Sequence, residues 1–300
     1  MTNHKSQAVV IIGVIVMIGI ATLLILQFFS TRNAAKLQQV SFDTASAVSV
    51  KIENRQEARV QESMGSYTVD QLIQQLGDDD IALSQQAAQQ LVMRGASVVP
   101  ALLEKAKEAP VFLKGQLIFV TGRIGDDSAV QGLIEFLKDD NGYIRRNVVE
   151  ALGKIKDDSA SLALAEMLFD DDEMVRMRSA LALGALGNSL AVDALLNRMQ
   201  DEQDAIVKSA IVDALGELKD PRSVALLIQI VSSPGEDFLY KEKAVVALGK
   251  IADSAAVPVL EAYLSRLTSA TFKDPGYDFQ RQTIVRAIEE ALHTIKVNNS

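Results

Sequence analysis

Apolar residues recur at three- and four-residue spacings along most of this chain, in segments separated by short acidic turns. That spacing predicts amphipathic helices rather than strands. One block punctuates the pattern, Ala-Leu-Gly-x-Ile/Leu or a close variant, with its glycines at Gly122, Gly153, Gly184, Gly216 and Gly249. Their separations are 31, 31, 32 and 33 residues. Self-similarity at such a period marks a stack of repeated units rather than one globular core.

The clearest unit is DDSASLALAEMLFDDDEMVRMRSALALGAL, from Asp157 to Leu186. It predicts a first helix capped by Asp158 that buries Leu162, Leu164 or Ala165, and Leu168. Asp170, Asp171 and Asp172 make the turn, and a second helix follows with Val175, Ala180, Leu181, Leu183 and Leu186 as its buried stripe. Asp126-Asp127-Ser128, Asp220-Pro221 and Asp253-Ser254 occupy the same start position in other units. Pro221 suits a first helical turn, while Pro100 and Pro258 fall about one turn into their segments, where a slight bend is expected. Glycine within a helix costs about 1 kcal/mol against alanine. Its recurrence late in the second helix therefore predicts a close approach of neighbouring helices at that point.

A second register accompanies the first. Eight residues before each glycine stands a base: Lys114, Arg145, Arg176, Lys208 and Lys241. Turn acids precede most of them, namely Asp139 and Asp140, Asp171 and Asp172, Asp201 and Asp204, Glu236 and Asp237. The bases form either a stripe that grips an anionic ligand or an acid–base ladder joining the turn of one repeat to the second helix of the next. The excess of nearby acid neutralises a stripe and favours the ladder.

The segments VRMRSALALG, IRRNVVEALG and VKSAIVDALG resemble HEAT repeats, of the short class also found in phycobilisome-lyase proteins. The resemblance runs from about Tyr67 to Lys296, with TVDQLIQQLGDDDIALSQQAAQQLVMRG as a diverged first unit. It implies an all-α solenoid of paired antiparallel helices whose second helices line the inner surface, and a role in protein–protein binding. Two enzymatic branches share the repeat. Deoxyhypusine hydroxylase holds iron between His-Glu pairs, and no such pair occurs here: the only histidines are His4 and His293, and His293 sits in ALHTI at a glycine-equivalent position. Bilin lyases are the other branch, and nothing in this chain marks a tetrapyrrole site.

Composition narrows the functions. The chain has no cysteine, which removes disulfides, thiolate metal sites and Cys nucleophiles. Paired carboxylates are abundant but sit in every turn, so repetition explains them; the Asp170–Glu173 run reads as a solvated turn rather than a metal site. No cofactor is expected. Residues 1–66 hold six bases against four acids, whereas 67–300 hold 24 against 35. So acidic a domain repels a phosphate backbone, and nucleic acid is not an expected partner.

From Ala8 to Leu26 the chain runs nineteen residues without a charge, extended by Gln27, Phe28 and Phe29. At about 1.5 Å per residue this matches a hydrocarbon core, and residues 8–29 are expected to be a transmembrane signal anchor after a short leader, 1–7. A cleaved signal peptide is the alternative, though its apolar region is normally shorter. Residues 30–66 are expected to be a polar juxtamembrane linker, with a helix on Leu37, Val40, Thr44 and Val48 and an extended stretch both open, and 67–300 the solenoid. The placement expected is a single-pass inner membrane protein with a periplasmic solenoid.

One step breaks the period: from Gly249 to His293 is 44 residues. The excess lies in SRLTSATFKDPGYDFQR, Ser265 to Arg281, which holds Phe272, Tyr277 and Phe279 around a Lys-Asp-Pro-Gly turn. Insertions in solenoids map to loops and often to binding faces, so these rings are candidate partner contacts, or else cover the end of the stack. Taken together, the sequence predicts a membrane-tethered, non-catalytic scaffold for a protein partner. The alternatives are a lyase-like enzyme and a self-associating stalk.

Overall fold

The computed structural model describes residues 67–235, 238–269 and 275–299, with the backbone alone for 275–277. The chain divides into Met1–Tyr67 and Thr68–Ser300, and the fold that follows is that of the second unit. The proposed leader, anchor and linker (residues 1–66) lie outside the described residues. Among the described residues no helix is long and apolar enough to cross a membrane.

Among those residues fourteen α-helices form seven successive pairs. The first helices of the pairs are α1 (Val69–Leu76), α3 (Val99–Glu108), α5 (Val130–Glu135), α7 (Ser161–Glu166), α9 (Ala191–Asp201), α11 (Val224–Ser232) and α13 (Val257–Ser269). The second helices are α2 (Ile81–Arg94), α4 (Val111–Ile124), α6 (Gly142–Ile155), α8 (Glu173–Leu186), α10 (Ala205–Leu218), α12 (Phe238–Ile251) and α14 (Pro275–Asn298). Short connections make each pair antiparallel. From α4 onward the second helices pack intimately on one another, while first helices touch more sparingly.

Each unit begins and ends by the same local chemistry. Asp126, Asp157, Asp220 and Asp253 accept a bond from the amide two residues on, each opening a 3₁₀ turn before the first helix proper. The cap of the Asp157 unit is thus Asp157 itself, one residue ahead of the expected Asp158. Pro100 and Pro258 fall in the first turn of α3 and α13 rather than a turn inside, where a missing N–H leaves no bond unmade. The second helices take a polar cap in their turn: Asp80, Asn141, Asp172 and Asp204. Several close on a residue in the left-handed region, Gly125, Lys156, Gly187, Lys219 and Ala252.

One continuous core runs through the stack, with Leu76, Leu102, Leu133, Leu164, Leu195, Leu227 and Leu260 all fully buried. Burying a leucine is worth about 1.5–3 kcal/mol, so the row supplies much of what holds each pair together. Two residues expected in this core are not in it. Leu162 is 75% exposed and Leu181 is 44% exposed, whereas Leu164, Leu168, Val175, Ala180 and Leu183 are buried. Leu162 points away from the second-helix layer, and Leu181 faces outward from it.

The glycines explain the close approach of that layer. A Cβ added at Gly122, Gly153, Gly184, Gly216 or Gly249 would come within 2.6–2.9 Å of Ala151, Ala182, Ala214, Ala247 or Ala291 respectively. Each glycine therefore receives the alanine of the next unit's Ala-Leu-Gly block, or of Ala-Leu-His in the last. His293 holds the same position in the last helix, where no described helix stacks beyond it, and its side chain is exposed.

Candidate interaction face

The bases eight residues before each glycine stand just inside the second helices and reach forward along the stack. Lys114 Nζ lies 2.8 Å from Asp139, Arg145 Nη2 lies 2.7 Å from Asp170, and Arg176 Nε lies 2.9 Å from Glu202. The direction runs from the second helix of one unit to the turn of the next. Arg145 and Arg176 also donate to the carbonyls of their own turn, at Asp139 and Asp170. Lys241 is buried and holds its ammonium 5.4 Å over the Tyr263 ring. The acids of the turn that follows Lys208, namely Glu236 and Asp237, lie outside the described residues.

Glu202 is the most enclosed of these acids. Its side chain is 1% exposed and receives Arg176, Arg198 and the amides of Gln203 and Asp204. Burial alone raises its pKa, but the bonds from Arg176, the Asp204 amide and Arg198 outweigh that and hold it down to about 2. Asp170, expected in a solvated turn, is also largely enclosed; burial acts against its charge, and Arg145 and the Asp172 amide hold its pKa below the usual range.

The outer edge of the second-helix layer carries a different row. Ten residues ahead of each glycine stand Phe112, Tyr143, Met174, Ile206 and Leu239. All but the half-buried Met174 are exposed, Leu239 by 64%. Three residues ahead of alternate glycines, Phe119, Leu181 and Val246 are exposed as well. Large apolar side chains are thus left open in register on α4, α6, α10 and α12, on one face of the second-helix layer. The signal was present in the sequence at the period of the glycines, but an apolar residue in an amphipathic helix reads as core.

This face includes a groove of about 870 Å³ between α2 and α4. Val92, three residues before the closing Gly95, stands where Gly122 stands before Gly125, and here the helices part. Phe112, Phe119 and Tyr143 line the groove with Gln85, Gln89 and Gln116. Gly115 forms its floor: a Cβ there would lie 2.6 Å from the Tyr143 ring and 3.1 Å from Asn147 Nδ2. The Phe119 ring is flanked by Lys154 at 5.1 Å and Arg123 at 5.9 Å.

The Ser265–Arg281 segment is more helical than expected. α13 continues to Ser269 and α14 starts at Pro275, so most of the added length extends the last helix. Phe279 lies on α14 with its ring exposed, and Tyr277 is on the same helix. Phe272 lies outside the described residues. Among the described residues no three His, Asp or Glu side chains gather to hold a metal.

A family model described as HEAT repeats matches residues 99–169, 130–216 and 202–273, more than half of the chain. No curated protein matches in sequence. Among solved structures, importin beta aligns with TM-score 0.59 and 14% identity, over 80% of this chain and 38% of its own. The complex of CpcE and CpcF of phycocyanin lyase from Nostoc sp. PCC7120 aligns with TM-score 0.44 and 21% identity, over 75% of this chain and 95% of its own. Human deoxyhypusine hydroxylase aligns with TM-score 0.35 and 20% identity, over 80% and 98%. At such identities the likeness to importin beta is one of fold.

Proposed function

The chain belongs to the HEAT-repeat family, and from that premise we propose that it is a scaffold that binds a protein partner along its second-helix face and catalyses nothing itself. The observation that carries this is the row Phe112, Tyr143, Met174, Ile206 and Leu239, apolar and open in register with the repeat. Exposed apolar side chains that recur at the period of the repeat support a use for this face. Three of the bases that would otherwise offer a catalytic or anion-binding face, Lys114, Arg145 and Arg176, pair with an acid of the neighbouring unit. Phe279 adds an exposed ring on α14. The uncharged run of residues 8–29 supports tethering of the scaffold to an inner membrane, with the solenoid in the periplasm.

The test is site-specific photocrosslinking in cells. Probes at Phe112, Ile206 and Leu239 should each give the same discrete adduct, while probes at Leu162 and Leu190, exposed on the first-helix side, give none. Equal labelling from both sets, or none from the first, would sink the proposal. A reporter fused at Ser300 reads the side of the membrane, and activity only in the cytoplasm would reverse the proposed orientation.

A further inference from the structure

We infer that the first helical pair, α1 and α2, is a hinged end of the array: it swings about Gly95 and so sets the width of the groove between α2 and α4. The motion goes beyond the scaffold reading and does not depend on it, although on that reading it adjusts one end of the interaction face to what lies there.

The seam between α2 and α4 lacks two devices that close later ones. From α4 onward a glycine of one second helix meets an alanine of the next. At the first seam the glycine position is Val92 and the alanine position is Val120. Two branched side chains hold the helix axes apart where a hydrogen atom and a methyl group would let them close. Accordingly, α2 and α4 touch less than any later neighbours in that layer. The ion pair is missing as well. Lys114, Arg145 and Arg176 each cross a seam to an acid that stands fourteen residues before the next glycine. Here the base position is Ser84, whose hydroxyl donates to the Leu76 carbonyl within its own unit. The acid position is Glu108, which is exposed and pairs with no base among the described residues.

Apolar contact still joins this pair to the rest. Leu72, Leu76 and Leu91 are buried in the core that continues through Leu102 and Leu117, and a Cβ at Gly77 would stand 3.4 Å from Leu113. Hydrophobic contact is non-directional, so a small shear of one helix on another leaves most of it intact. The chain between α2 and α3 supplies the pivot. Gly125 and Gly187 close α4 and α8 in the left-handed region, at ψ 21° and 10°. Gly95 has φ 64° but ψ −148°, a conformation essentially confined to glycine. A Cβ added there would meet nothing within 4 Å, so no neighbouring side chain holds this residue in place. Hinges are a few element-terminal residues that absorb changes in φ and ψ, and Gly95 stands at such a terminus. From Ala82 to Gly95 the helix rises about 20 Å, so a swing of about 10° moves its start by about 3 Å.

The chain has no cysteine, so pairs of nitroxide labels can be placed on the full-length protein in detergent without removing a native thiol. Ala82 and Met174 span three seams that include the first, and Phe112 and Ile206 span three later seams in the same register. By pulsed dipolar spectroscopy the distance distribution for Ala82→Cys with Met174→Cys should be about twofold broader than that for Phe112→Cys with Ile206→Cys. Gly95→Ala disfavours the observed φ and ψ without touching a neighbour. It should displace the maximum of the first distribution by about 3 Å and leave the second where it was. Equal widths in the parent overturn the inference. So does a first distribution that Gly95→Ala leaves unchanged, with thermal unfolding as the check that the variant is folded. Should the variant fail to fold, the two widths in the parent still decide. Adducts from Ile206 and Leu239 test the scaffold reading separately: their absence leaves the hinge standing, and equal widths leave the scaffold standing.

Discussion

A single methyl group separates the glycine ladder from a clash. At Gly184 an added Cβ would sit 2.8 Å from Ala214 Cα, a backbone atom that no rotamer change can move away. Gly184→Ala gains about 1 kcal/mol of helix propensity yet should lose about 1–3 kcal/mol to overpacking, a net destabilisation read as a lower midpoint in urea. His293→Ala, at the matching position of α14, meets no neighbouring helix and should shift the midpoint by less than about 0.5 kcal/mol. Glu202 gives the second prediction at this scale. Glu202→Gln leaves Arg176 and Arg198 facing a neutral amide and should cost about 3–5 kcal/mol. Its folded pKa of about 2 lies below its ordinary 4.5, so the charge stabilises the fold fully above pH 4.5. That contribution is lost as pH falls from 4.5 towards 2, and the variant's stability profile should be flatter across this window than the parent's.

At the scale of the element, the register of starts and stops was legible in advance, because caps and acidic turns are local chemistry. Asp126, Asp220 and Asp253 open their units as their spacing implied. What could not be read was which apolar residues face a neighbour. Leu181 and Leu183 are two residues apart on one helix, yet one is exposed and the other buried. Leu162 and Leu164 divide in the same way. Amphipathic spacing assigns a stripe to the interior only when the opposite face is polar, and here both faces carry leucine. The row from Phe112 to Leu239 was hidden for the same reason, and the groove needed the third dimension to bring Gly115 beneath Tyr143. A further prediction follows from the helix ends. Ala252 closes α12 at φ 59°, in the left-handed region that Gly125 and Gly187 occupy without strain. Ala252→Gly should raise thermal stability by about 0.5–1 kcal/mol, measured by calorimetry.

For the whole molecule, stability is a sum over neighbouring units, since each pair of helices touches chiefly the next. A weakened seam therefore has consequences that depend on where it lies. Gly184→Ala loosens the stack between α8 and α10 and should let the two flanks exchange amide hydrogens at different rates. Gly249→Ala, whose Cβ would meet Ala291, should accelerate exchange chiefly in α13 and α14. Uniform acceleration in both variants would mean the array unfolds as one body.

The contact of each glycine with the next unit's alanine is directional, and α14 carries the receiving alanine but not the glycine. A helix added beyond it in the same register would meet an imidazole where α6, α8, α10, α12 and α14 each meet a hydrogen atom. End-to-end growth of the array in that close register, by another copy or by a grafted repeat, is thus opposed by one side chain. His293→Gly is the substitution that would make the stack extensible.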